Sequence, residues 1–318
     1  MTDSRPSAIR VPLTARWLLT LVFLGLLGWF LDLEQLVVEL SRFSLLAVGL
    51  ALLVSVAQVA LSAWRWRYTA RRLGLGLTMK TAVTEYYLAM FLNQCLPGGV
   101  VGDVNRAWRH GSGSGERQKA LHGVMIERLS GQLVMSAVAV CGGFWLVAGH
   151  PDLQMLAGNW ANGVIVPALG LIAVFTLVLG LGSRAWQGLR RYLASLGRDI
   201  YRGLLNPRSL PLQIVSSLLV VASYLGVFWL LAASGREGMS AEQTLTLLAL
   251  CSLLLLAMVI PLTVAGWGVR EGAAAVLWPL AGLPAEQGVA LSVGYGLTVL
   301  LSSLPGGLFV FSRASDGR

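Results

Sequence analysis

The stretch FSLLAVGLALLVSVAQVALSA, residues 43–63, decides the fold class of this chain. It holds no charged side chain, and a helix of this length covers the ~30 Å hydrocarbon core of a bilayer at about 1.5 Å per residue. Similar apolar runs lie at 17–31, 82–96, 122–149, 161–182, 212–233, 245–265, 272–283 and 288–311. We therefore predict an all-α polytopic membrane protein with about six to eight transmembrane helices.

The composition of the whole chain supports this prediction. Of the 318 residues, 56% are hydrophobic and 12% are charged, whereas soluble domains carry about 25% charged residues. A soluble fold could not remove that much apolar surface from water, and a disordered chain would not be so apolar. The three cysteines lie inside apolar runs, so a disulfide-linked secreted scaffold is excluded as well.

The net charge of +9, from 24 basic and 15 acidic residues, indicates topology rather than nucleic-acid binding. Basic side chains concentrate before residue 17, in loops 64–80, 106–121 and 183–211, and in the C-terminal tail. Few occur in loops 32–42, 150–160 and 234–244. By the positive-inside rule, both termini and the basic loops are predicted to face the cytoplasm. The first run has no cleavage site after it, so we expect an uncleaved first helix.

This topology singles out two segments, 82–106 and 245–283. Each has to return to the side from which it entered, because the loops that flank it lie on the same side. Each contains an apolar arm that is short for a full crossing, 82–96 and 272–283, and this favours re-entrant hairpins. A pair of full membrane-spanning helices would also return the chain to the side from which it entered.

The two segments are interrupted by related sequences, PGGVVGDVNR at 97–106 and PLTVAGWGVR at 261–270. Both read P-x4-G-x3-R, and they are predicted to enter from opposite sides of the membrane, as in an inverted repeat. Broken helices expose backbone groups at depth that can bind a polar ligand. The alternative is a pair of simple kinks. The predicted structural breaks are Pro97, Gly98, Gly99, Gly102, Pro261, Gly266 and Gly268.

Charged side chains inside or beside the apolar runs are the candidate substrate-binding residues, because a charge at membrane depth requires a partner or a function. They are Asp103, Arg106, Glu127, Arg128, Arg270 and Glu271. An arginine fork can hold a phosphate, and a carboxylate can orient the arginine or meet an amine. The alternative is mutual neutralisation, with Glu127 and Arg128 at a membrane interface. The run Trp64-Arg65-Trp66-Arg67-Tyr68 is interpreted as an interfacial anchor.

No pattern points to catalysis, a metal site or a cofactor. HExxH, CxxC and GxSxG motifs are absent from the sequence, and Met79 occupies the second glycine position of a near match to a phosphate-binding loop at 74–81. We therefore predict no catalytic residue, no metal ligand and no cofactor.

Three stretches carry a family resemblance: FLNQCLPGGVVGDVNR at 91–106, IERLSG at 126–131 and PLTVAGWGVREGA at 261–273. In this order they resemble motifs of the flippase-like membrane family, which includes the membrane half of the lysylphosphatidylglycerol synthetases, the multiple peptide resistance factors. The chain departs from the family pattern at Cys95 and at Gly98-Gly99. The resemblance implies one membrane-embedded domain over 1–318 that moves lipids between the leaflets of a bacterial inner membrane. The catalytic domain of the synthetases is not expected in these residues.

We therefore expect a lipid translocase whose head-group site contains the six charged residues. Its partners would be membrane lipids, namely an anionic or aminoacylated phospholipid, a glycolipid or a hopanoid, and oligomers are compatible with this. A lipid-modifying transferase is one alternative, although loop 183–211 holds a single acid, Asp199, and is too small for a donor-binding domain. A non-transporting membrane subunit is the other.

Overall fold

A computed structural model describes residues 31–96, 99–149, 184–234, 238–258 and 263–315, with scattered positions between 18 and 29. In these residues the chain forms ten α-helices and no β-strand. The helices are α1 (Leu33–Ser41), α2 (Leu45–Arg72), α3 (Met79–Cys95), α4 (Val101–Ser114), α5 (Arg117–Gly149), α6 (Arg184–Ile200), α7 (Leu210–Ala233), α8 (Ala241–Ala257), α9 (Val269–Leu280) and α10 (Ala285–Ser315). A π-helical turn, Tyr201–Leu205, joins α6 to the segment before α7.

Four of the described helices are long and apolar enough to cross a membrane: α2, α5, α7 and the part of α10 from Ala285 to Phe309. The prediction of an all-helical, multi-pass membrane protein is therefore confirmed. The predicted run at 161–182 and loop 150–160 lie outside the described residues, as do seven residues of the run at 17–31.

The two predicted broken segments each consist of two short helices. The first is formed by α3 and α4, with 17 and 14 residues, and the second by α8 and α9, with 17 and 12 residues. A helix of 17 residues is about 25 Å long, which is less than the ~30 Å hydrocarbon core. Among the predicted break residues, Pro97, Gly98 and Pro261 lie outside the described part of the chain.

The predicted loops 64–80, 106–121 and 183–211 are wrong, since all three are largely helical. α2 continues to Arg72 because no glycine or proline occurs between residues 50 and 73 to end it. Gly74 and Gly115 then terminate α2 and α4 with left-handed φ angles of 82° and 73°. The connections that remain, 73–78 and 115–116, are short, and α6 fills much of the third loop.

The helix α3 lies at the centre of one half of the molecule, packed against α2, α4 and α10. Two glycines allow these contacts. A Cβ atom on Gly102 of α4 would overlap the carbonyl oxygen of Ala89, and one on Gly306 of α10 would overlap that of Tyr87. Close approach of helix backbones at glycine is typical of membrane proteins.

The other half is built around α8, which packs against α5, α7 and α9. Its apolar core includes Phe228 of α7 and Tyr295 of α10, whose rings stack with centroids 4.2 Å apart. The two halves share the long helices α2, α5 and α10, so the broken segments are held by the same scaffold.

Candidate functional site

Four of the six predicted charged residues meet where α4 packs against α5. Arg106 lies 2.9 Å from Asp103 and 2.7 Å from Glu127, in each case between a guanidinium nitrogen and a carboxylate oxygen. Arg128 also donates a hydrogen bond to Asp103. Asp103 and Arg106 are one helical turn apart on α4, so both can face the Glu127–Arg128 pair of α5. We call this group, together with Arg65 below, the α4–α5 cluster.

Arg65 of α2 completes the α4–α5 cluster. Its guanidinium donates to the backbone oxygen of Glu127 at 3.2 Å and to the hydroxyl of Ser130 at 2.6 Å. The predicted interfacial anchor is wrong for Arg65 and Trp66, because these side chains are 2% and 0% exposed. They face the protein interior, since α2 does not end before them.

A polar stripe along α2 could have revealed Arg65 from the sequence. Ser55, Gln58, Ser62, Arg65 and Thr69 recur at intervals of three and four residues, which places them on one face of a helix. All five are buried. A polar face inside an apolar helix indicates contact with protein rather than with lipid, and Thr69 and Gln58 indeed hydrogen-bond to side chains of α7.

Arg106 is enclosed by aromatic rings. Its guanidinium carbon lies 4.8 Å from the ring centroid of Trp66 and 4.6 Å from that of Tyr86, distances at which a cation interacts with a π face. The Tyr86 hydroxyl lies 3.4 Å from Glu127. Arg106 is fully buried, so a ligand could reach it only if these rings or the carboxylates moved.

Arg128 is the accessible cation of the α4–α5 cluster. Its side chain is 44% exposed, compared with 9% for its partner Asp103. The cluster contains three arginines, Arg65, Arg106 and Arg128, and two carboxylates, so its formal charge is 3 − 2 = +1. A buried excess of positive charge with one exposed guanidinium favours an anionic ligand.

The remaining two predicted residues form a second group, the α9–α10 cluster. Arg270 lies 2.8 Å from Glu271 and donates to the Ser292 hydroxyl at 2.6 Å, and that hydroxyl donates to Glu271 at 2.7 Å. The guanidinium carbon is 5.3 Å from the ring centroids of Trp267 and Tyr295. Both charged side chains are about 1% exposed, so this cluster is neutral and closed.

The turn before α9 positions the α9–α10 cluster. Gly266 and Gly268 have φ angles of 78° and 86°, and Ala265, which directly precedes Gly266, has a φ angle of 51°. These left-handed conformations favour glycine. The backbone N–H of Gly268 donates to Glu271 at 2.6 Å, and a carboxylate is favourable at the N-terminus of a helix.

The first break is built differently. Among the residues of this break that the structure describes, Gly99 has a left-handed conformation, with φ of 62°, whereas Gly102 lies inside α4 and packs against α3. Gly102 is therefore a contact glycine and not part of the turn. The spacing from the left-handed glycine to the arginine is seven residues for Arg106 but two and four for Arg270, so the repeated motif does not impose the same local geometry.

Tyr224 of α7 lies near both clusters. It lies within electrostatic range of Glu127 and Arg128 on one side and of Tyr295 on the other. Tyr295 in turn lies beside Arg270. From the sequence, Ser216, Ser217, Ser223 and Tyr224 of this helix are all expected to make helix–helix contacts rather than ligand contacts.

The described residues contain no group of three His, Cys, Asp or Glu side chains that could hold a metal ion. A family model described as the lysylphosphatidylglycerol synthase TM region matches residues 17–306. The match covers most of the chain and both clusters, and it confirms the family resemblance based on the three motifs. Comparison with curated proteins gave no match.

Proposed function

The chain belongs to the family of the lysylphosphatidylglycerol synthase TM region, and from this premise we propose that it moves a lipid between the two leaflets of a membrane. It is a transporter in this proposal and not an enzyme. The membrane is the bacterial inner membrane, with both chain termini in the cytoplasm, as the distribution of arginine favours.

The proposal rests on one observation: the side chain of Arg128 is exposed, whereas the other charged side chains of the α4–α5 cluster are buried. An incoming phosphate can replace Asp103 at Arg128 without leaving a carboxylate unpaired. Asp103 keeps Arg106 at 2.9 Å and the Asn93 amide at 3.1 Å. Exchange of one charge-assisted hydrogen bond for another has a small net free energy, which suits a site that must bind and release.

Arg106 and Arg270 are less accessible to a head group. Binding of phosphate to either one would separate it from a buried carboxylate, and a buried charge without its partner is strongly unfavourable. In our proposal Arg128 makes the first contact. Arg106 and Arg270 become available only when the broken segments rearrange and the amine of the head group, or a proton, neutralises the acids.

The short helices support a path across the membrane. α3, α4, α8 and α9 are each 17 residues or shorter, and we propose that the two pairs are re-entrant hairpins related as an inverted repeat. The acyl chains would remain in the bilayer while the head group passes between the hairpins. The arginines favour a phosphate-bearing lipid, either an anionic phospholipid or its aminoacylated form, over an uncharged hopanoid.

Translocation in vesicles tests this function. The purified chain is reconstituted with fluorescent phosphatidylglycerol, and the rate at which the probe reaches the other leaflet is compared with that in protein-free vesicles, with and without a proton gradient. We expect faster translocation with the chain and at least about a tenfold loss in Arg128→Gln, the size expected when a charge-assisted contact is removed. Arg198→Gln, an exposed arginine of α6, is the matched control.

Equal rates in protein-free and protein-containing vesicles under all gradients would exclude this function for the phosphatidylglycerol class. A rate that falls equally in Arg128→Gln and Arg198→Gln would assign the effect to surface charge and remove Arg128 from the site. Mass spectrometry of the vesicle lipids in the same samples detects any covalent change, which a transporter does not produce.

A further inference from the structure

A polar cavity lies beside the α4–α5 cluster. Its volume is about 770 Å³, and it opens between the end of α2, the 73–78 connection, the start of α3 and the end of α4. We call it the α2–α4 cavity. Ligand sites in proteins commonly have volumes of about 300–1,000 Å³, so the cavity is large enough for a phosphorylated small molecule or a lipid head group.

The charge of the α2–α4 cavity is positive. Arg67, Arg71 and Arg109 line it together with one acid, Glu85. Arg109 lies 3.0 Å from Glu85, and Arg67 donates to the backbone oxygen of Leu77 at 3.1 Å. With three arginines and one carboxylate, the wall of the cavity has a formal charge of 3 − 1 = +2. Arg71 is exposed.

The N-terminus of α3 adds to this positive potential. Met79 and Thr81, in the first turn of this 17-residue helix, line the cavity, as does the N-cap residue Thr78. The amide groups and the dipole at a helix N-terminus favour an anion. The Thr78 side chain already accepts from the Thr81 N–H, and the Thr81 hydroxyl lies at the same end of the helix.

Two residues that line the cavity have a buried polar atom without a partner among the described residues. Trp66 is fully buried, and its indole Nε1 has no hydrogen-bond acceptor among the described residues. Nδ1 of His110 also has no partner among the described residues. Its Nε2 lies 3.1 Å from the Gly76 oxygen and donates to it, so Nδ1 is an acceptor in the neutral ring. An indole N–H can only donate, and such a buried donor is normally satisfied, because leaving it unpaired is unfavourable.

We propose that the α2–α4 cavity binds a phosphate-bearing anion, with Arg71 and Arg109 as the charged donors and the α3 N-terminus as the neutral one. Trp66 separates this ligand from the α4–α5 cluster, since its ring contacts Arg106 as well as the cavity. The site is distinct from the head-group contact at Arg128 and exists whether or not the chain translocates lipid. The phosphate belongs either to a lipid head group or to a soluble molecule.

Binding to the full-length purified chain tests the proposal in two arms. In the first, the melting temperature in detergent is measured with inorganic phosphate or glycerol 3-phosphate, against chloride at equal ionic strength, because a ligand of the folded state raises it. In the second, native mass spectrometry measures retention of phosphatidylglycerol relative to diacylglycerol, which lacks the phosphate.

Two variants locate the site. Arg71→Gln removes a charge, with Arg198→Gln as its control. Gly113→Leu fills part of the cavity and keeps all charges, because a side chain on Gly113, which lines the cavity, meets no atom within 4 Å at its Cβ. Gly188→Leu on α6, which is equally open at its Cβ, is the matched control.

We expect binding in at least one arm, with a Kd that rises about tenfold in Arg71→Gln and in Gly113→Leu but not in the controls. Binding of the soluble phosphates identifies a soluble ligand, and binding of phosphatidylglycerol alone identifies a lipid head group. The proposal is overturned if neither arm shows binding that both variants weaken, or if the controls weaken binding equally.

Discussion

Nη2 of Arg106 lies 2.7 Å from Oε2 of Glu127, and this buried ion pair joins the second arm of the first broken segment to the long helix α5. Arg106 is 0% exposed and Glu127 is 3% exposed. A buried pair of this kind contributes little net stability relative to apolar residues of the same size, whereas the loss of one partner is strongly unfavourable. The pair therefore fixes the position of α4 rather than adding much to its stability.

The first prediction concerns this pair. Arg106→Met should destabilise the chain by about 3–5 kcal/mol, because Glu127 loses its closest cation inside the protein. The double variant Arg106→Met/Glu127→Met should recover part of this loss, because Arg65, 3.9 Å from Glu127, then loses its carboxylate. Thermal or denaturant unfolding of the purified protein in detergent measures both effects.

The surface pair Arg42–Glu39, 2.6 Å apart with the arginine side chain 44% exposed, provides the control. Arg42→Met should change the free energy of unfolding by less than about 1 kcal/mol, as is usual for exposed ion pairs. A double variant of the buried pair that is no more stable than Arg106→Met alone would contradict the assignment.

The second prediction concerns the glycines on either side of α3. Gly102→Ala and Gly306→Ala should each destabilise the protein by about 1–3 kcal/mol, because the new Cβ overlaps a backbone oxygen of α3 that cannot rotate away. Gly49→Ala in α2, with no atom within 4 Å of the new Cβ, should be neutral or stabilising by about 0.5–1 kcal/mol. Equal melting temperatures for all three variants would show that the helices are not in close contact.

The third prediction concerns topology. On a background in which the three native cysteines are replaced, single cysteines at Lys119 and Arg191 should react with an impermeant reagent only after the membrane is permeabilised. Cysteines at Glu34 and at Pro151, which lies outside the described residues, should react in intact cells. The opposite labelling pattern would reverse the predicted orientation.

The sequence predicted the long helices correctly, but it predicted the segments between them less well. Apolar runs predicted α2, α5, α7 and α10 because the bilayer requires a long uncharged segment. The boundaries of α2 and α4 were misplaced because charged residues were equated with loops. Arg65 and Arg106 continue their helices, since each finds carboxylates inside the protein, and composition cannot show such tertiary neutralisation.

The sequence identified the charged residues of the site because a charge in an apolar run is rare. It did not predict which of these residues lie together. Asp103 lies one turn from Arg106 on α4, but Glu127 is 21 positions away from Arg106, and only the packing of α4 on α5 brings these two together. The different exposure of Arg128 and Arg106 also arises from this packing. The polar stripe on α2 carried the missing information about Arg65.

The last prediction separates binding from structure at Arg270. Arg270→Ala leaves Glu271 with the Ser292 hydroxyl and a backbone N–H but no cation, so we expect expression to fall and the protein to lose about 3–5 kcal/mol of stability. Arg270→Gln/Glu271→Gln removes both charges and should restore folding, as measured by monodisperse elution and melting temperature.

If the double variant folds, its rate of lipid translocation then decides the role of Arg270. If Arg270 holds phosphate during transport, the neutral pair cannot replace it and translocation stays lost. Arg270→Lys should also slow transport, because an ammonium group lacks the planar fork that matches phosphate and the two-point contact with Glu271. A double variant that moves lipid at the wild-type rate would instead show that the α9–α10 cluster only stabilises the second break, and head-group contact would be confined to Arg128 and its neighbours.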